Sequence, residues 1–272
     1  MRVLYVCTAN ICRSASAQVL LRGAVAAEPT LAQVEVRSAG TQSIPGAPGC
    51  SVAPALVGHA QEHHSQPVTA ELVEWADLIL PAARDHRPAI VELAPAVRSR
   101  MFTLRQAGRI ADWLLESGMV TAARERAGAS EPGASAWADG FPAGDPRADV
   151  EALPEGPSAR LGWLLREMDV ARGMIAASSE WPHTAGPAAH QGRRFGLGRR
   201  VGRSAALRET SPGDARAVAS PRAGRTAPDP SATHPDDVPD PHVLGMGLHP
   251  LAYDQIKAST DSLVRLLAEL SQ

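Results

Sequence analysis

The sequence predicts an α/β fold, a central parallel sheet flanked by helices, with a long low-complexity insertion before the last helix. Over roughly the first 115 residues, short apolar segments alternate with segments of helical spacing, which is typical of parallel strands joined by crossover helices. Hydrophobic residues make up 44% of the chain, which is enough for a core of ordinary size. Farther along, Ala, Gly, Pro and Arg replace the alternating pattern.

The first part of the chain supplies the strands and most of the helices. Short apolar segments are predicted to form strands at 2–6, 34–38 and 77–80, with a further strand or loop at 101–104. Apolar residues at helical spacing predict helices at 14–27, 53–62 and 106–115, and shorter helices after Thr69 and Pro88. This order of elements predicts one domain whose strands lie side by side.

Residues 117–233 are predicted to be an insertion between two parts of that domain, 1–116 and 234–272. One helix is expected in it, near 158–175. Between residues 191 and 225 nine arginines face only two acidic residues, in a stretch rich in Gly, Pro and Ser. Such a stretch cannot offset its ordering entropy by burial, so 177–232 is predicted to be disordered. A closing helix is predicted at 252–270.

Composition limits the partners of the protein. A formal net charge of −2 does not favour nucleic acid as a partner, although the Arg-rich stretch could contact acidic molecules nonspecifically. No run of about 18 apolar residues predicts a membrane span, and the residues after Arg2 do not resemble a signal peptide. Three cysteines are too few for a disulfide framework. A cytoplasmic protein is therefore expected, and the oligomeric state is left open.

The turn after the first strand carries the candidate chemistry. Five residues separate Cys7 from Arg13, and Ser14 follows at the start of a predicted helix. A loop of this length between strand and helix can point several amides inward at the positive end of a helix dipole, and so bind a tetrahedral oxyanion. An arginine fork can hold two of the anion's oxygens, and the positive field favours a thiolate. Two buried structural cysteines are the alternative, but packing alone does not explain Arg13 and Asn10.

These residues resemble the low-molecular-weight protein tyrosine phosphatase family, within the arsenate reductase-like superfamily. Residues 7–14 match its C-x5-R-[ST] loop, including the N-I-C-R-S core, and 38–41 and 76–80 resemble its S-A-G-T and A-D-L-I-L segments. The resemblance covers about residues 1–115 and 234–270 and implies a cysteine nucleophile without a cofactor. It implies a phosphate-binding loop that contains Thr8, Ala9, Asn10, Ile11, Cys12, Arg13 and Ser14. It also implies supporting roles for Ser14, Ser38 and His63.

The resemblance further implies an aspartic acid followed by proline, just before the last helix, as general acid and base. Three Asp-Pro pairs occur, at Asp145, Asp229 and Asp240, and only the third lies shortly before the predicted closing helix. Asp240 is therefore the predicted acid, while the other two are interpreted as turns. His242 stands where many family members carry an aromatic residue at the substrate mouth.

The reaction implied is hydrolysis of a phosphate monoester through a cysteinyl-phosphate, with a phosphotyrosine protein or a small phosphate ester as substrate. Two alternatives remain open at this point. A thiol-coupled arsenate reductase would use the same loop, although 81–93 contains no cysteine that could carry a disulfide away. A non-catalytic phosphate-binding protein is the other.

Metal ligation is not expected from the sequence. Cys7 and Cys12 form a poor zinc pattern without a downstream pair of ligands, and no cysteine or carboxylate completes the group of His59, His63 and His64. A reversible disulfide between Cys7 and Cys12 under oxidant is a hypothesis, and packing of Cys12 behind the loop is its alternative.

Overall fold

A three-stranded parallel sheet forms the centre of the protein in a computed structural model, which describes residues 1–52, 62–129, 145–175 and 234–272. The strands are β1 (Arg2–Cys7), β2 (Glu35–Gly40) and β3 (Leu78–Pro81), in the order β2-β1-β3. Every strand pair is parallel, and Cys7 at the end of β1 lies opposite Gly40 at the end of β2. The predicted fold class is thus confirmed, and the carboxyl ends of the strands meet at one edge.

Helices of very different lengths surround the sheet. In chain order they are α1 (Arg13–Ala27), α2 (Ala70–Trp75), α3 (Arg87–Leu93), α4 (Leu104–Glu116), α5 (Met119–Gly128), α6 (Pro157–Met174), α7 (Pro241–Leu244) and α8 (His249–Ser271). Short 3-10 turns at Pro29–Leu31, Arg84–His86, Pro95–Arg100, Pro146–Asp149 and Met246–Leu248 complete the described elements. Across the described ranges, no helix combines the length and apolar character that crossing a membrane requires.

The alternation of side chains along β1 divides the core into two clusters, one on each face of the sheet. Val3 and Tyr5 belong to the larger cluster, whereas Leu4 and Val6 belong to the smaller one. Because successive strand residues point to opposite faces, a fully apolar strand must be covered on both sides. Helices α1, α4, α6 and α8 cover one face, and α2 and α3 cover the other.

Helix α6 packs into the larger cluster although it lies within the stretch that the sequence predicts to be inserted. The side chain of Trp163 is fully buried, and its Nε1 donates a hydrogen bond of 3.2 Å to the carbonyl of Glu151. Arg160 also donates to the carbonyl of Leu270 in α8 at 2.8 Å. Within the described residues, α6 is part of the core; the proposed limits of the insertion stay a prediction.

Most observed elements begin and end within three residues of the predicted ones. Met101 makes a single parallel bridge to Ile79 and does not extend into a strand, because Thr103 already caps α4 by accepting a hydrogen bond from the amide of Gln106. The predicted helix at 53–62 and the predicted disordered stretch at 177–232 lie almost wholly outside the described residues.

The residues before the last helix, 234–248, will be called the pre-helix segment. They reach across to the carboxyl edge of the sheet through a buried ion pair between Asp236 and Arg109 of α4. Asp237 pairs with Arg84 at 3.2 Å, and the amide of Val238 donates to the carbonyl of Ala82 at 2.8 Å. These contacts bring the C-terminal part of the chain to the turn that follows β1.

Candidate active site

The cysteine loop, residues 7–14, turns from β1 into α1 around the sulfur of Cys7. Asn10 has φ of 55°, a left-handed conformation that Asn adopts more readily than most residues, and its amide N–H points to Cys7 Sγ at 3.3 Å. Ser14 Oγ lies 3.0 Å from the same sulfur. The loop therefore places polar hydrogens around Cys7, as a thiolate requires.

Asn10 is fully buried, and its side chain and backbone hold the loop in this shape. Its Nδ2 donates to Ser14 Oγ at 2.9 Å and to Ser38 Oγ at 2.8 Å, and its Oδ1 accepts from the amide of Gln66 at 3.0 Å. Its carbonyl accepts a hydrogen bond from His63 Nε2 at 2.6 Å. The structure thus brings Ser14, Ser38 and His63 to the loop, as the resemblance leads one to expect; their roles in catalysis stay a prediction.

Gly40 allows the cysteine loop to lie directly on the end of β2. A Cβ atom at this position would come within 2.7 Å of the carbonyl oxygen of Thr8 and 2.9 Å of the Asn10 nitrogen. These neighbours are backbone atoms, which cannot rotate away as a side chain can. The close approach therefore requires glycine.

Arg13, also in the cysteine loop, is only 5% exposed, so its guanidinium is buried. One terminal nitrogen donates to Thr8 Oγ1 at 3.1 Å, and the other donates to the carbonyl of Val238 at 3.3 Å. It also forms an ion pair with Asp240 of the pre-helix segment. Asp240 Oδ1 in turn accepts the amide of His242 at 3.0 Å and caps α7. Asp240 therefore meets Arg13 within the loop that begins at Cys7, and the catalytic roles of these three residues stay a prediction.

His86 is a residue of this site that the sequence interpretation missed. Its Nε2 lies 3.1 Å from Thr8 Oγ1, and its Nδ1 lies 3.1 Å from the amide nitrogen and carbonyl oxygen of Ala83. Burial, and after it the nearby charge of Arg13, lower the pKa of its imidazole to about 4. His86 is thus neutral at pH 7 and supports Thr8 without adding charge. Its sequence context, a turn after β3, gave no distinctive signal.

The mouth of the site is a cleft between the cysteine loop and the pre-helix segment. It is lined on one side by Thr41 and Gln42, on the second by Asp85 and His86, and on the third by residues from Asp237 to Leu244. Val243 is 72% exposed there. A molecule that enters this cleft meets Arg13 and Asp240, which both line it.

The other residues considered from sequence lie away from the site or outside the described part of the chain. Asp145 caps a 3-10 turn and pairs with Arg147 at 2.6 Å, which agrees with its interpretation as a turn residue. Arg147 lowers the pKa of the Asp145 carboxyl to about 2, mainly through their side-chain hydrogen bonds. Asp229 and His59 are not among the described residues. All three cysteines are free thiols, so the disulfide between Cys7 and Cys12 stays a hypothesis.

A parallel α/β fold with a buried arginine beside a thiol at the strand ends is the arrangement of a protein that handles tetrahedral oxyanions. The sequence profile described as low molecular weight phosphotyrosine protein phosphatase matches residues 2–112. The protein-arginine-phosphatase of Geobacillus stearothermophilus is 34% identical over 108 residues, 39% of this chain and 70% of that protein. The low molecular weight protein-tyrosine-phosphatase Etp of Escherichia coli is 32% identical over 108 residues, 38% of this chain and 69% of that protein. The chain belongs to the low molecular weight phosphotyrosine protein phosphatase family.

Solved structures of the same family are similar to the chain as well. The low molecular weight protein tyrosine phosphatase of Bacillus subtilis is 34% identical, over 39% of this chain and 72% of that one, with a TM-score of 0.37. The YwlE arginine phosphatase of Geobacillus stearothermophilus is 26% identical, over 64% of this chain and 93% of that one, with a TM-score of 0.35. Family membership makes the protein a phosphatase that works through an active-site cysteine. Neither arsenate reduction nor non-catalytic phosphate binding is favoured.

Replacing Gly40 by alanine tests the close approach of the cysteine loop. We expect Gly40→Ala to displace the loop and to weaken both phosphatase activity and competitive inhibition by inorganic phosphate, because a Cβ there would overlap backbone atoms. The matched control is Gly23→Ala in α1, where a Cβ would meet nothing within 4 Å. The control should keep its activity and gain about 0.5–1 kcal/mol in the free energy of unfolding. Equal activities of the two variants would contradict this interpretation.

The lowered pKa of His86 predicts a specific acid sensitivity. Between pH 6.5 and 4 the unfolded chain binds a proton at this imidazole and the folded chain does not, so the free energy of unfolding falls as the pH is lowered. The loss attributable to His86 is on the order of 3 kcal/mol across that window. Urea unfolding at a series of pH values should show a shallower pH dependence for His86→Gln than for the wild type. His64→Gln is the control. The hydrogen bond to the Gly46 carbonyl raises the pKa of this exposed imidazole, so the folded and the unfolded chain both carry its proton over most of this window, and the variant should keep the wild-type dependence there.

Proposed function

We propose that this protein hydrolyses phosphate monoesters, foremost phosphotyrosine in proteins, with Cys7 as nucleophile, Arg13 as phosphate ligand and Asp240 as general acid and base. The observation that carries the proposal is that Asp240 pairs with Arg13 of the loop that begins at Cys7, and that both line one cleft, although 227 residues separate them. The family relationship supports the reaction class.

In the first step the thiolate of Cys7 attacks phosphorus, and the bond from phosphorus to the ester oxygen breaks. The leaving oxygen takes a proton from Asp240, and a cysteinyl-phosphate forms. In the second step the Asp240 carboxylate accepts a proton from water, whose oxygen attacks phosphorus and releases inorganic phosphate and the Cys7 thiolate. Ser14, 3.0 Å from Cys7 Sγ, can donate a hydrogen bond to the sulfur as it leaves.

Arg13 and the loop amides would stabilise the negative charge on the phosphate oxygens that do not react. The guanidinium is buried and directed by Thr8 and Val238, so it needs little rearrangement to bind two oxygens. Substrate binding would exchange its ion pair with Asp240 for contacts to the phosphate. That exchange would release the Asp240 carboxyl group near the ester oxygen, while the cap on α7 keeps it in place.

Matched variants and leaving groups test these roles. Asp240→Asn should lower kcat/KM for phenyl phosphate by about 10²–10⁴. It should lower kcat/KM for p-nitrophenyl phosphate far less, because that leaving group needs no proton. Cys7→Ser should be inactive on both. Asp145→Asn, the equivalent change in another Asp-Pro pair, should match the wild type.

Equal losses on the two esters in Asp240→Asn would assign the acid to another residue. Turnover by Cys7→Ser would show that Cys7 is not the nucleophile.

Phosphoarginine is a second candidate substrate, favoured by one feature of the mouth. Asp85 is exposed at the rim of the cleft, where its carboxylate could face the guanidinium of a phosphorylated arginine. The apolar surface of Val243 and Leu244 is the wall on which a phosphotyrosine ring could lie. The relatives include proteins named for each activity, so peptide substrates must decide between them.

Two peptides that differ only at the phosphorylated residue, phosphotyrosine in one and phosphoarginine in the other, separate these candidates. We expect a higher kcat/KM for the phosphotyrosine peptide, and an unchanged value in Asp85→Asn. Asp254→Asn, on the distant face of α8, is the control. A preference for phosphoarginine that Asp85→Asn abolishes would establish the second candidate in place of the first.

A further inference from the structure

Four potential metal ligands meet beside the cysteine loop, apart from the groups that act on phosphate in the proposed reaction. They are Cys12, Cys50, His242 and His249, and one ligand atom from each lies within 4.8 Å of all the others. Cys12, Cys50 and His249 are buried, whereas His242 is exposed. Among the described residues this is the one group of this kind.

Three separate segments of the chain deliver these side chains. Cys12 lies in the cysteine loop, directly before the first residue of α1. The amide of Cys50 donates a hydrogen bond of 2.7 Å to the carbonyl of Ile11, which fixes Cys50 beside the loop. His242 and His249 both come from the C-terminal part of the chain, where α7 and the first turn of α8 lie close together. The group is therefore assembled by the tertiary fold.

The orientation of His249 is the one that a metal-bound histidine needs. Its Nδ1 donates a hydrogen bond of 2.7 Å to the carbonyl of Met246, because a carbonyl oxygen can only accept. The lone pair of the neutral ring is then on Nε2, which lies 3.3 Å from Cys50 Sγ. A backbone carbonyl on the remote nitrogen is the usual second contact of a metal-bound imidazole. The ring of His242 stands nearly perpendicular to it, with centroids 5.0 Å apart.

We propose that Cys12, Cys50, His242 and His249 bind a Zn²⁺ ion. Two thiolates and two imidazoles are a ligand set that Zn²⁺ binds tetrahedrally. Bond lengths of about 2.3 Å to sulfur and 2.0–2.1 Å to nitrogen would place the ligand atoms about 3.3–3.8 Å apart in a tetrahedron. The ligand atoms, which lie within 4.8 Å of one another, thus need to approach by at most about 1.0–1.5 Å to close around the ion. Binding displaces the two thiol protons into solvent, so affinity rises with pH.

The ion would connect the two halves of the candidate active site. Cys12 is adjacent to Arg13 in the cysteine loop, and His242 lies two residues after Asp240. A metal held by both would tie the pre-helix segment to the loop at a point that does not contact the phosphate. Exposed His242 gives the ion its route of entry. The ordinary alternative is that Cys50 and His249 share a hydrogen bond in a packed interior, and the test distinguishes the two.

The test uses the full-length Cys7→Ser protein under a phosphine reductant, so that the nucleophile cannot supply a thiolate. Titration with Co²⁺, followed by displacement with Zn²⁺, reports the site without any measurement of activity. We expect one equivalent of Co²⁺ to give the visible bands of a tetrahedral centre and a thiolate-to-metal charge-transfer band, and one equivalent of Zn²⁺ to remove both. Hydrogen exchange of residues 236–248 should slow when Zn²⁺ is added.

Variants in the same background identify the ligands. Cys50→Ser should lose stoichiometric Co²⁺ binding and the charge-transfer band. His242→Ala, which removes an exposed side chain and opens no cavity, should lose the tetrahedral bands and the zinc-dependent protection. His64→Ala, an exposed histidine outside the group, should bind as the parent does.

Absence of stoichiometric binding in the parent, or binding that survives both Cys50→Ser and His242→Ala, would overturn the proposal. Because the measurements are made in a protein without the nucleophile, they leave the proposed phosphatase reaction untouched either way.

Discussion

The candidate active site depends on how one buried asparagine fixes the loop that follows β1. Asn10 takes a left-handed conformation and satisfies every polar group of its side chain within the protein, so the loop needs no water or ligand to hold its shape. Its partners come from β2, from the segment at Gln66 and from α1. The loop is therefore a junction of the sheet and its first helix, and the position of Cys7 follows from the fold as a whole.

The interactions that position the Asp240 carboxyl group differ from those that position the cysteine loop. Asp240 lies on a short segment that is attached by buried Val238 and by two ion pairs, Asp236 with Arg109 and Asp237 with Arg84. A buried ion pair is costly to break by removing one partner, yet it adds little stability compared with apolar packing. Such an ion pair does fix the position of the pre-helix segment, because the two charged groups pair in only one arrangement. The ion pairs thus help to fix the position of the pre-helix segment, whereas hydrogen bonds and close packing fix the cysteine loop.

The strands and the cysteine loop could be predicted from the sequence, because the residue patterns that indicate them are local. The apolar runs located all three strands, and the spacing from Cys7 to Arg13 indicated the loop. The last helix begins at His249 and not at residue 252, since Pro250 fits the first turn of a helix, where its missing N–H is not needed. His86 and the meeting of Cys12 with Cys50 and the two histidines had no such signal. The hydrogen-bond contact of Cys50 with His249 alone joins positions 199 residues apart, and only the tertiary fold brings such positions together.

The long separation between Arg13 and Asp240 has a consequence for how the protein is made. Contacts between residues 227 apart are costly in loop entropy and form late, after the local strands and helices. During synthesis the cysteine loop and Gln66, one of its hydrogen-bond partners, emerge early, whereas α8, which helps to cover the sheet, and the Asp240 carboxyl group emerge last. The cover of the sheet and the proposed acid would thus be completed together, at the end of synthesis.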